Sequence, residues 1–197
     1  MFSQTSWDGD QLDQDWTNSA NWSTGVVPGA GTNVIIPVVA TGYPDLGVLA
    51  PDQAVNNLTI SAGATIAVAA RTLTVNGTSS LAGNITASGA GTIRLIGAVT
   101  VNVGAATLTL STAGGSIILG STVTGFAGTE SLILNAGAGT ITLGGMIGGA
   151  PGLVGFQATC GSGLTLPQIS ASGNIAITAG GTITVNAAVS STTGALS

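Results

Sequence analysis

Four aspartates, Asp8, Asp10, Asp13 and Asp15, crowd the run DGDQLDQD (8–15). Carboxylates at this density suit a hard cation such as Ca²⁺, which takes about six to eight oxygens. The chain has no histidine, so a bound metal is expected at Asp8–Asp15 and expected to be calcium. The spacing does not match an EF-hand loop, which closes on a glutamate, and the competing reading is a solvated acidic loop. Paired carboxylates also serve glycoside hydrolysis, which needs a general acid and a general base brought together. From residue 53 onward the only charged residues are Arg71, Arg94 and Glu130. They cannot supply such a pair, so the chain is expected not to be an enzyme. Trp7, Trp16 and Trp22 lie among the same first residues and could stack on sugar rings. Cys160 is the single cysteine and reads as a small buried hydrophobe. A reactive thiol would want a cationic neighbour, and none is near in sequence.

The composition of the whole chain narrows the function further. Of 197 residues, 32 are glycine, two are basic, none is lysine, and the net charge is −5. Charged residues make up 5%, against about 25% in an ordinary domain. Two isolated arginines cannot hold a phosphate backbone, so nucleic acid is not expected as a partner; the same argument removes an anionic membrane surface. Apolar runs such as VIIPVVA (34–40) are far shorter than the roughly 18 residues of a spanning helix, so membrane insertion is not expected either. MFSQTSWDGD lacks the basic and apolar regions of a signal peptide. The expectation is a leader already removed, or an internal piece of a longer chain.

Two regions differ in texture. Residues 1–50 hold all three tryptophans, the only tyrosine and most of the acids, and read as a β-rich N-terminal cap. Residues 51–197 are dense with short alternating runs such as TLTV (72–75), TIRL (92–95), TLTL (107–110), SLIL (131–134) and TITL (140–143). Alternation of β-branched residues with a period of two means short strands, and glycine and asparagine between them mark turns. The runs recur: Ile93, Ile117 and Ile141 are spaced by 24, as are Leu95, Leu119 and Leu143. A fixed period in this range marks a solenoid whose repeats stack on one another. The expected fold is all-β, a right-handed parallel β-helix with coils of about 24 residues. Ile and Leu point inward and Thr or Ser outward. Charges are scarce because a charge repeated in each coil would stack on its own copy about 4.8 Å away. After Gly152 the spacings change to 23 and 19, which predicts unequal coils or a loop around Cys160. Outward Ile118 and Ile133 imply that something covers their faces.

With the coils in place, the tryptophans gain a second reading, covering the apolar end of the first coil. The outward Thr92/Ser116/Thr140 ladder is like a flat ice-binding face, but the neighbouring outward positions, Arg94, Ile118 and Thr142, make the array irregular.

SLILNAGAGTITLGGMIGGAPGLVGFQA and GLTLPQISASGNIAITAGGTITVNAAV resemble the repeats of filamentous-haemagglutinin-like bacterial adhesins, across roughly residues 80–197. WTNSANWSTGVVPGAGTNVIIP (16–37) is similar to the opening module of many bacterial cell-surface solenoids, through Trp16, Asn21, Trp22, Gly25, Pro28, Gly31, Val34, Ile36 and Pro37. The resemblance implies an exported bacterial protein, extracellular or at the cell surface. It implies a structural role in a fibre or adhesin stalk, with no shared catalytic residues and no cofactor. The closing stretch TITVNAAVSSTTGALS carries no cap of its own, so head-to-tail self-association into filaments is expected, or continuation into further coils. A glycan or a host or cell surface is the expected outside partner. The competing readings are a glycan- or ice-binding module and a polysaccharide-degrading β-helix enzyme.

Overall fold

The computed structural model describes residues 2–11, 13–39, 42–47 and 51–197. Among the described residues the regular elements are short strands, apart from one 3-10 turn at Ser19–Asn21. No helix among the described residues is long and apolar enough to cross a membrane. The strands stack into a parallel β-solenoid of about six turns with three faces.

The first face runs through Ser3–Ser6, Thr32–Ile36, Leu58–Ile60, Ser79–Leu81, Val99–Val101 and Val123–Gly125, and continues through Ile147 to Ile169–Ala171 and Val189–Ser191. The second comprises Thr65–Ala67, Asn84–Ala87, Thr107–Thr112, Ser131–Asn135, Gly155–Cys160 and Ile175–Ala179. The third comprises Gln53–Val55, Thr72–Val75, Thr92–Leu95, Ile117–Leu119 and Ile141–Leu143, followed by the pair Leu164–Leu166 and Ile183–Val185. All named strand pairs are parallel.

The register follows the repeat. Ile93 pairs with Ile117 and Ile117 with Ile141, while Leu95, Leu119 and Leu143 form the next column. All six are buried, and Thr92, Arg94, Ile118 and Thr142 point out between them. The 24-residue step belongs to the central coils. Val55, Val75 and Leu95 pair at steps of 20, and Leu164 pairs with Ile183 at a step of 19. Corners absorb the difference, and the alternation within each strand keeps its phase. The irregularity after Gly152 is therefore one of coil length, and no loop surrounds Cys160. That residue ends the strand Gly155–Cys160, points inward and is buried. Ile118 and Ile133 are each half-buried by their own surroundings.

Residues from the cap join the same stacks. Ser3–Ser6 and Thr32–Ile36 are the first rungs of the first face, and on the second Asp15 bridges in parallel to Asp45, which bridges in parallel to Ala67. The expected boundary between 50 and 51 adjoins residues 48–50, which lie outside the described residues.

Candidate functional site

The cap gathers the residues that could do chemistry. Trp7, Trp16 and Trp22 are all at most 2% exposed. Trp22 takes the other two edge-on, with centroids 5.1 Å from Trp7 and 4.8 Å from Trp16. The Trp7 indole N–H donates to Gly42 O at 2.9 Å and that of Trp22 to Trp16 O at 2.8 Å. Sugar stacking needs an open ring face, and these rings offer none; they pack where the first coil's core would otherwise end.

The four aspartates do not converge. Asp13 accepts from the side-chain amides of Asn18 and Asn21, both at 2.7 Å, and from Asp15 N at 3.1 Å. These donors, Asn18 first, hold its carboxyl below the usual carboxylate range. Asp15 Oδ1 accepts from Thr17 N and from its hydroxyl, both at 2.8 Å. Asp10 is exposed. Asp8 Oδ1 and Asp45 Oδ1 are buried without a hydrogen-bond partner. Among the described residues, no group of three or more His, Cys, Asp or Glu side chains is placed to hold a metal ion.

Asn21 organises this loop instead. It is fully buried, its amide donates to Asp13 Oδ1 and to Asp15 O, and its Oδ1 accepts from Gln11 N. A single neutral side chain thus ties together Gln11, Asp13 and Asp15, and the backbone carbonyl of the same residue accepts from Asp8 N. The sequence signal was its place in the N-W-S-T turn, but the atoms it would serve were not legible there.

Along the solenoid, the third face carries an outward column of Thr74, Arg94, Ile118, Thr142, with Thr165 and Thr184 at the equivalent position of the final pair. Beside it, Ser116 and Thr140 share a hydroxyl–hydroxyl bond of 2.8 Å. Arg94 and Ile118 interrupt the hydroxyl array at its centre.

Glu130 is the one acid after Asp52, and it is fully buried. Its carboxylate accepts from Ala127 N and Gly128 N at 2.8 Å and from Thr129 N at 2.9 Å, closing the corner between the first and second faces. Burial pushes its pKa up, but the backbone donors, Ala127 foremost, outweigh this and hold it below its ordinary value. A depressed folded-state pKa contributes stability that is present above the unfolded value of about 4.3 and lost as pH falls through the folded value. Glu130→Gln presents an amide N–H₂ to backbone donors and should lower stability by about 1–3 kcal/mol near neutral pH. It should also remove this group's share of the stability lost below about pH 4.3. Denaturant melts of both proteins from neutral pH into the acid range measure both effects. Curves that coincide throughout would show that the corner does not depend on the carboxylate.

This arrangement is a parallel solenoid with few charges and an acidic N-terminal region, and among the described residues no ion pair joins an arginine to a carboxylate. No protein-family model, curated protein or solved structure matches the chain.

Proposed function

We propose that this chain is a structural unit of an extracellular bacterial surface fibre or adhesin stalk, related to the filamentous-haemagglutinin-like adhesins and working through self-association without catalysis. The observation that supports this reading is the unbroken apolar column through successive coils, Ile93 to Ile117 to Ile141, beneath an outer surface almost free of charge. Such a rod gains length by adding equivalent units, each contributing about 4.8 Å per coil. A continuous apolar column of this kind suits a stalk. A shallow depression on the second face is lined by neutral side chains, among them Thr107, Ser131, Ile133 and Gln157.

Electron micrographs of the purified chain at high concentration should show filaments or rods many times longer than the roughly 3 nm of six stacked coils. Short separate particles at every concentration would remove the assembling-fibre reading.

A further inference from the structure

Charge is divided unevenly over the molecule. Six of the seven acids lie at residues 8–52, and the seventh, Glu130, is buried. The exposed charge of residues 51–197 therefore comes from Asp52, which accepts from Thr72 N at the first coil, and from the half-buried Arg71 and the exposed Arg94. Arg94 stands outward on the third face and is exposed, with Thr74 in register on one side and the half-buried Ile118 on the other. No ion pair joins either arginine to a carboxylate among the described residues. The cap presents the complement: Asp10 and Asp13 are exposed, and Phe2, Val26 and Val38 are among its exposed apolar side chains.

We propose that the acidic cap of one copy docks sideways on the third face of another copy, with the carboxylates around Asp10 and Asp13 meeting Arg94 and with Ile118 covered in the contact. This rests on the self-association reading and adds to it a lateral contact, separate from the stacking of coils along the rod. A copy with net charge −5 repels another copy except where a positive patch meets the cap, so charge decides which surfaces meet. A guanidinium can take a carboxylate through two parallel hydrogen bonds. A single exposed pair contributes at most about 1 kcal/mol, so burial of apolar surface such as Ile118 must supply the remaining affinity. The contact joins two different surfaces, and a heterologous contact that does not close on itself repeats into an open line. It lies on the flank of the rod, so it operates whatever chain precedes or follows these residues. Asp13 keeps its charge into the acid range through its two asparagine donors.

The test is sedimentation of the 197-residue chain at about 0.01 M and about 1 M salt, between which the screening length falls from about 30 Å to about 3 Å. The advantage of the parent over Arg94→Glu should be large at the low salt and shrink at the high salt, as the pairing is screened. Arg94→Glu should weaken association about tenfold or more by replacing an attraction with a repulsion, and adding Asp10→Arg in the same chain should restore much of it. Circular dichroism of each variant confirms that the solenoid persists. If Arg94→Glu assembles as well as the parent, this surface is wrong and the fibre reading stands. If the parent remains monomeric at every salt concentration, both the contact and fibre formation by the isolated chain are overturned.

Discussion

Replacing Ile117 with aspartate should cost about 5 kcal/mol or more, the largest loss expected from a single change in this chain. Ile117 is fully buried and pairs in register with Ile93 on one side and Ile141 on the other. Removing a buried aliphatic side chain alone costs about 2–5 kcal/mol. A carboxylate placed there has only apolar neighbours above and below and must be desolvated or protonated, which adds several kcal/mol. The stability of a stacked fold comes largely from contacts between neighbouring coils, so a break at Ile117 weakens both of its interfaces. The control is Thr142→Asp, an exposed outward position of an adjacent coil, where the change should stay within about 0.5 kcal/mol. Denaturant unfolding followed by circular dichroism separates the two. If Ile117→Asp unfolds with the parent, the assignment of inward and outward positions is wrong.

Gly115→Ala should cost about 3 kcal/mol or more, although it adds a single methyl group. Gly91, Gly115 and Gly139 stack at the corner between the second and third faces. A Cβ on Gly115 would overlap the carbonyl oxygen of Gly91, and one on Gly139 would overlap that of Gly115. The obstacle is backbone, the carbonyls of Ala90 and Gly91 in the preceding coil, so no side-chain rotation relieves it. Overpacking in a well-filled interior costs about 1–3 kcal/mol, and here the corner must open against hydrogen bonds to neighbouring coils, such as Ile117 N to Thr140 O at 2.9 Å. The same corner holds Thr112, whose buried hydroxyl donates to Gly115 O at 2.8 Å, and opening it would strand that group. Gly31→Ala is the comparison: nothing lies within 4 Å of its Cβ position and its φ is not in the left-handed region. It should be neutral, or stabilising by up to about 1 kcal/mol through the unfolded chain. Equal midpoints for the two variants would refute close contact between coils at this corner.

Much of the solenoid was legible in the sequence because its stabilising pattern is local and repeated. Each strand announces its inward face by alternation, and the constant step from Ile93 to Ile117 to Ile141 announces which residues stack. The cap was less legible. Its fold depends on contacts between segments that share no pattern, such as Asn21 reaching Asp13 and Gln11, or Trp7 reaching Gly42. A cluster of aspartates reads the same in sequence whether it faces a cation or is held by asparagine amides.

The sequence by itself determined the fold class, the direction of each solenoid side chain and the scarcity of ionisable groups on the rod. These follow from composition and a period of two, which act within a few residues. Tertiary structure alone decided the number of faces, the unequal lengths of the outer coils, the place of Cys160 in a strand, and the burial of the three tryptophans. It also decided that Glu130 turns inward onto its own corner while Arg94 stands in solvent. Those outcomes depend on how corners close and which backbone groups they leave to be satisfied. They are settled only when distant parts of the chain meet, because a buried donor or acceptor must find its partner wherever the packed chain supplies one.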